Sequence, residues 1–188
     1  MRVISGQLGG RDLGSVPDGV RPTVDRVRES LFSSLRSVEG LAVLDLFAGT
    51  GALGIEAFSR GAQSVVFVER SRKVARALRK RLTSLGLQDN DELEVIEIDA
   101  VRALRRFSGA SDTRFDLVFL DPPYDEGDRE HTLEVLFGSG VLNSGARVVV
   151  EGPRRHPLAP LPGVRVVDER RYGDTLITWL ESMPTDVE

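Results

Sequence analysis

The stretch Leu41-Ala-Val-Leu-Asp-Leu-Phe-Ala-Gly-Thr-Gly-Ala-Leu-Gly54 decides the fold. Its first seven residues form a short apolar run, the kind that makes a strand buried on both faces. Glycines 49, 51 and 54 follow, and the pattern then predicts a helix over 52–60. Glycine permits left-handed backbone and close approach of a ligand, so a strand can turn straight into a helix here. Outward from this point the alternation continues. Strand patterns at 63–69, 93–99, 115–120 and 146–150 are separated by predicted helices at 71–85, 100–107 and 128–137. Ser71 is placed to cap the first of these helices and Gly86 to stop it. Strands alternating with helices imply an α/β domain whose parallel sheet is covered on both faces.

The pattern breaks after residue 150. Four prolines (Pro153, Pro157, Pro160 and Pro162) mark 152–162 as a loop. The β-rich runs 164–172 and 175–180 flank Gly173-Asp174, a tight-hairpin signal. The expected sheet is therefore seven-stranded and mostly parallel, ending in an antiparallel hairpin. At the other end, Arg2-Val-Ile-Ser-Gly6 and Arg11-Asp-Leu13 are expected to pair through Gly9-Gly10 as a small N-terminal β-hairpin arm. Arg21-Pro-Thr23 opens a helix with Val24, Val27, Leu31 and Leu35 on one stripe. The expected division is an arm over 1–20, one main domain over 21–182 and a frayed tail over 183–188.

At 188 residues, with 40% hydrophobic and 29% charged residues, the chain can bury a real core and is neither disordered nor fibrous. No apolar run approaches 18 residues and no apolar signal segment opens the chain, so neither membrane span nor export is expected. The absence of cysteine excludes disulfides and cysteine-ligated metals. Two histidines, His131 and His156, leave little material for a metal site or a Ser-His-Asp triad, and both read as surface residues. A metal-free protein of the cytoplasm is expected. The net charge of −4 speaks against a globally basic nucleic-acid coat. The cations are 23 arginines and two lysines, Lys73 and Lys80. A GC-rich genome is the first explanation; suitability for bidentate phosphate contacts is the second.

Gly49, Gly51 and Gly54 fit G-x-G-x-x-G between a strand and a helix, and Glu69 ends the next strand, where a carboxylate can hold ribose hydroxyls. Together they point to an adenosine-type cofactor without choosing between NAD and S-adenosylmethionine. Two features favour the latter. Asp45 precedes the turn, where a carboxylate can meet a methionine ammonium, and the terminal hairpin departs from an all-parallel dinucleotide sheet. Asp99 has two readings of equal weight: an acceptor for an adenine amino group, or the cap of the helix at 100. The candidate cofactor contacts are Asp45, Phe47, Gly49, Gly51, Glu69, Asp99 and Ala100.

Asp121-Pro122-Pro123-Tyr124 follows the fourth strand directly. Ligands of open α/β sheets bind outside the carboxyl strand ends, which sets this corner beside the glycine turn. Two prolines stiffen it and remove donors. A carboxylate, carbonyls and one aromatic ring suit a planar heterocycle with an exocyclic NH₂: Asp121 and the Pro122 carbonyl accept its hydrogens while Tyr124 stacks on the ring.

Asp-Pro-Pro-Tyr after strand four, with Asp-x-Phe-x-Gly-x-Gly after strand one, resembles the amino-methyltransferases of nucleic-acid bases. The whole chain is more similar to the bacterial RsmD-type family, which methylates a guanine N2 of small-subunit (16S) ribosomal RNA. The matching pieces are Arg2-Val-Ile-Ser-Gly6 with Gly10-Arg11, Arg21-Pro-Thr23 with Arg28-Glu-Ser-Leu-Phe32, the run 44–54, the run 115–124, and Tyr172-Gly-Asp-Thr175. The resemblance implies a Rossmann-like S-adenosylmethionine-dependent methyltransferase fold, Asp121, Pro122, Pro123 and Tyr124 as the catalytic corner, and a monomer acting on ribosomal RNA, either naked or within a small-subunit particle.

Such a reaction is an in-line methyl transfer from a sulfonium to an amino nitrogen. Asp121 and the Pro122 carbonyl would stabilise the positive charge developing on that nitrogen. Target binding must come from elsewhere. Residues 1–28 carry Arg2, Arg11, Arg21, Arg26 and Arg28 against three aspartates, a candidate RNA-facing arm, and deleting residues 1–20 is expected to spare cofactor binding. The cations of the 71–85 helix read as an ordinary solvated face. Rival readings are a DNA base amino-methyltransferase, an NAD oxidoreductase and a non-catalytic RNA-binding protein. The first lacks room for a target-recognition domain, and the second lacks an evident hydride-transfer acid. The third does not account for an intact Asp-Pro-Pro-Tyr.

Overall fold

The computed structural model describes residues 1–14, 25–35, 37–110, 113–122 and 128–183. In chain order the elements are α1 (Asp25–Ser34), β1 (Ala42–Leu46), α2 (Ala52–Ser59), β2 (Ser64–Val68), α3 (Arg72–Ser84), β3 (Leu93–Ile96), α4 (Ala100–Ser108), β4 (Phe115–Leu120), α5 (Asp128–Gly138), β5 (Leu142–Pro153), β6 (Val164–Tyr172) and β7 (Thr175–Ser182). They build one sheet of order β3-β2-β1-β4-β5-β7-β6. The first five strands of that order are parallel, and β7 runs antiparallel to both β5 and β6. The chain winds outward from β1 to β3 and then returns to β4. The reversal falls between β1 and β4, the point where open α/β sheets hold ligands.

Side-chain alternation sorts the helices. Leu117 and Phe119 of β4 join a core with α1 (Val27, Leu31), α2 (Ile55, Phe58) and α3 (Leu78, Leu82). Val118 and Leu120 face the opposite core, shared with α4 (Leu104, Phe107) and α5 (Leu133, Leu136). Thus α1, α2 and α3 cover one face of the sheet, and α4 and α5 the other. Among the described residues no helix is long and apolar enough to cross a membrane.

The expected opening of α1 over 21–24 lies outside the described residues; the other element boundaries match the sequence expectation within two residues except at β3 and β5. β3 stops at Ile96 instead of reaching Asp99. β5 starts four residues early and runs to Pro153, taking the first two residues of the expected proline loop. Its early start contains a bulge: the register jumps from Phe115↔Leu142 to Leu117↔Arg147. Asn-Ser-Gly at 143–145 looks like a turn in sequence, yet Asn143 Nδ2 donates to Asp116 Oδ1 at 2.7 Å and the strand resumes. Its late end is held by β7, where Pro153 pairs with Thr175.

The N-terminal segment does pair on itself. Val3 N donates to the Arg11 carbonyl (3.0 Å), Gly10 N to Val3 (2.9 Å) and Leu13 N to Met1 (2.9 Å), around one Arg2↔Asp12 bridge. It does not stand away from the domain. Val3 and Leu13 are buried in the α1–α3 core. Ile4 N and Ser5 N donate to the two carboxylate oxygens of Glu56 in α2, at 2.7 and 3.1 Å. Gln7 N reaches the Ser59 carbonyl (2.7 Å) and Leu8 N the Ser59 hydroxyl (3.0 Å).

Candidate functional site

Register brings the carboxyl ends of three strands together. Leu46, the last residue of β1, pairs with Val68 of β2 on one side and Leu120 of β4 on the other. Phe47, Glu69 and Asp121 are therefore the next residues out of three adjacent strands. Phe47 is the one non-glycine with positive φ (61°) among the described residues, a conformation costly for a bulky side chain. Gly49 (φ 54°) and Gly51 (φ 72°) complete the turn, and Gly51 is the N-cap of α2. Gly51 takes a left-handed backbone conformation that favours glycine, and a Cβ there would also press on Leu78 Cδ1 of α3 at 2.3 Å. Gly54 meets Phe67 in the same way.

Two carboxyl groups organise the turn. Glu69 accepts from Gly49 N at 3.1 Å and from Ser71 N at 2.7 Å, tying the turn to the start of α3. Asp45 is 2% exposed, and its Oδ2 accepts from Gly54 N at 3.0 Å across the first turn of α2. Burial pushes its carboxyl up to about 8; the Gly54 N–H opposes this and the Glu69 charge adds to it. Asp45 is thus a buried acid that gains by meeting a cation.

Of the two readings for Asp99, the cap is realised: its Oδ1 accepts from Val101 N (3.0 Å) and Arg102 N (3.2 Å) at the head of α4. Ala100 is buried beside it, and Phe47 packs partly buried on the α4–α5 core. Asp121 is half-buried at the end of β4 and Pro122 is buried. Pro123 and Tyr124 lie outside the described residues, as does Arg21.

The cations of the expected arm divide. Arg2, Arg11 and Arg26 are exposed, and Arg2 donates to the Gly10 carbonyl at 3.1 Å. Arg28 must be withdrawn from the RNA-facing set, because it is wholly buried. Its Nη2 donates to the Arg2 carbonyl and to Asp25 (3.2 Å), and its Nε faces Glu56 at 3.8 Å. Burial lowers its pKa against the pull of Asp25 and Glu56. The signal was in the sequence: Arg28 lies three and four residues before Leu31 and Phe32, on the inward face of α1.

Three residues escape the sequence reading. Glu56 holds Ile4, Ser5, Arg28 and Arg60, the last at 2.8 Å. Ser59 holds the hairpin turn. Arg81, 7% exposed, donates to the Leu13 carbonyl and, at 2.6 Å, to the Thr50 carbonyl, linking hairpin, α3 and glycine turn. A lone acid in the otherwise apolar helix 52–59, and an arginine three residues after Leu78, were the available signs.

A family model described as conserved hypothetical protein 95 matches residues 1–181. The ribosomal RNA small subunit methyltransferase D of Escherichia coli K12 is 39% identical over 165 residues, covering 86% of this chain and 79% of that protein. The chain belongs to the RsmD family. The Haemophilus influenzae member is 35% identical over 175 residues, covering 92% of this chain and 89% of its own. A solved structure of the Escherichia coli protein YhhF aligns at 35% identity with a TM-score of 0.85, over 98% of this chain and 99% of that one. The fold is the Rossmann-like S-adenosylmethionine-dependent methyltransferase fold, and the donor set of this RsmD-family site suits that cofactor. A buried acid able to pair with an ammonium, a second acid able to hold ribose, and a left-handed glycine turn stand together at adjacent strand ends, where open α/β sheets hold ligands.

Proposed function

We propose that the protein transfers the methyl group of S-adenosylmethionine to the exocyclic N2 of a guanine in small-subunit (16S) ribosomal RNA. The observation that carries this reading is the register of β1 with β4. It makes Asp121 the neighbour of Phe47, so an acceptor corner stands beside a cofactor turn. The names of the relatives support ribosomal RNA as the substrate class. The choice of N2 rests on the resemblance and on the acceptor chemistry of Asp121 and Pro122.

Bound at the turn, S-adenosylmethionine would supply an electrophilic methyl on a positively charged sulfur. Asp45 would pair with its ammonium, and Glu69 would take the ribose hydroxyls. An aryl amine is a weak nucleophile because its lone pair is delocalised into the ring. Asp121 and the Pro122 carbonyl accept the two N2 hydrogens, favour a tetrahedral nitrogen and stabilise its growing positive charge. Tyr124 stacks on the extruded base, while Pro122 and Pro123 fix the corner. Asp121 and the Pro122 carbonyl would hold N2 in line with that methyl, and the N2 proton displaced by methylation would leave to water. Asp121 acts as an oriented acceptor and need not be a strong base. Mass spectrometry of 16S ribosomal RNA from cells with and without the gene tests the reading: one N2-methylguanine should disappear. An unchanged modification pattern would refute it.

A further inference from the structure

The segment 70–81 holds seven of the chain's cations and no acid: Arg70, Arg72, Lys73, Arg76, Arg79, Lys80 and Arg81. In a protein of net charge −4 this is a local concentration against the average. The structure divides these groups by role. Arg81 is buried and structural. Arg79 is committed to the sheet edge, donating to the Val95 carbonyl at 2.8 Å and pairing with Glu97 at 3.5 Å. Arg72 is 80% exposed, with Glu97 only at the 4.0 Å limit. Arg72, Arg76 and Lys80 recur every fourth residue, which lines them along one exposed stripe of α3 at steps of about 6 Å. That step is comparable with the distance between neighbouring phosphates of an RNA strand. The stripe borders an open groove of about 570 Å³, lined among the described residues by Arg72, Lys73, Arg76, Ala77 and Lys80.

Position supports the same conclusion. α3 begins three residues after Glu69, so the stripe starts at the edge of the cofactor turn. It lies on the sheet face that also carries the N-terminal hairpin, and Arg81 bonds α3 to the hairpin at Leu13. Hairpin and helix thus belong to the same face of the sheet, and the hairpin exposes Arg2 and Arg11. We infer that the outer stripe of α3 is a second RNA-backbone site, where Arg72, Arg76 and Lys80 hold phosphates of the strand whose guanine enters the Asp121 corner. This replaces the reading of α3 as an ordinary solvated face, and it rests on the proposed ribosomal RNA substrate.

The test uses the full chain with Arg72, Arg76 and Lys80 all changed to Gln, keeping the helix and its buried side. The matched control changes Arg102, Arg105 and Arg106 to Gln on the exposed side of α4, across the sheet, with the same loss of charge. Binding of a 16S ribosomal RNA transcript is measured across salt concentrations. Each phosphate no longer neutralised lowers the log–log salt slope by roughly 0.7–0.9, so the α3 triple should lower it by roughly 2 to 3. The α4 triple should change it by less than roughly 0.7, the share of a single phosphate. S-adenosylmethionine affinity should stay unchanged in both, and the RNA KM should rise in the α3 triple with kcat retained. If the α3 triple shifts no further than the α4 triple, the stripe is not an RNA site. A wild-type protein that neither binds nor methylates this transcript or small-subunit particles from cells lacking the gene would refute the substrate reading itself, visible without any variant.

Discussion

The glycine turn after β1 and the N-terminal hairpin look alike in sequence, since both are glycine-rich and both carry polar residues beside short apolar stretches. In the structure they behave oppositely. The turn is shaped mainly by residues near it in the chain, Asp45 and Gly54 within it and Glu69 just beyond, and its polar groups lie at the strand ends. The hairpin is shaped by residues far along the chain: Glu56 and Ser59 fix its backbone, Arg28 props it, and Arg81 ties its end to Thr50 in the turn. A segment that looks appended to the domain is bonded to the same helix whose N-cap is Gly51 of the glycine turn.

The largest effect that would sharpen this contrast is expected at Glu56. Changing it to Ala takes the buried acidic partner from Arg28, leaving it the exposed Asp25 and the Arg2 carbonyl, and frees two backbone donors of the hairpin. Removing one partner of a buried pair costs about 3–5 kcal/mol. Urea unfolding should show a loss of that order, and protease should cut the N-terminal segment first. A loss below about 1 kcal/mol would mean that the hairpin holds itself.

Next in size is the coupling of hairpin to turn. Removing residues 1–14 should lower S-adenosylmethionine affinity several-fold by calorimetry, because the truncation takes the Leu13 partner from Arg81 and the Ile4 and Ser5 partners from Glu56. This reverses the expectation from sequence alone, in which the arm is dispensable for the cofactor. Affinity equal to the full chain would restore that expectation. Within the turn itself, Glu69→Ala should cost about 1–3 kcal/mol of cofactor affinity, because its charge-assisted bonds to ribose disappear.

A subtler prediction follows from Asp45. Its carboxyl is raised by burial from the ordinary carboxylate range to about 8 in the folded protein. An acid raised on folding binds its proton more tightly in the native state, so its contribution to stability is full below about pH 4 and falls away progressively up to about pH 8. Asp45→Asn removes that decline. The variant should gain stability over wild type as pH rises from about 4 to about 8, read as a widening Tm difference, while its cofactor affinity falls. A Tm difference that does not change with pH would contradict the assigned burial. The smallest effect is at the exposed Arg2: Arg2→Gln should lower the salt slope of RNA binding by roughly 0.7–0.9 if its guanidinium meets one phosphate.

The parallel sheet, its terminal hairpin and the glycine turn after β1 were legible because their determinants are local. A buried strand is an apolar run, a strand-to-helix turn needs glycine at 49 and 51, and Gly173-Asp174 closes a hairpin. The turn's acids carry a cofactor expectation in the sequence; in the structure Asp45 is fastened to Gly54, and Gly51 takes the positive φ that favours glycine with or without a ligand. Arg28 was misread because charge alone suggested solvent, whereas its helical spacing suggested the core. The bulge of β5 was hidden because Asn-Ser-Gly serves a turn and a bulge equally. Tyr172 shows the same limit on motifs. It bonds its hydroxyl to Ser30 of α1, so a stretch that marks the family fastens the terminal hairpin to the first helix.

Methyl transfer at the strand-end crevice is tested most directly by single turnover with the purified full chain. S-adenosylmethionine labelled in its methyl group and small-subunit particles from cells lacking the gene are mixed with wild type or with Asp121→Ala, and the RNA is digested to nucleosides. Wild type should place the label in N2-methylguanosine at one position. Asp121→Ala should bind the cofactor as tightly and transfer on the order of 10² times more slowly, the loss expected when one stabiliser of developing charge is removed. Label on a different base, or an Asp121→Ala rate equal to wild type, would contradict the assignment of the Asp121 corner as the place where the guanine amine is methylated.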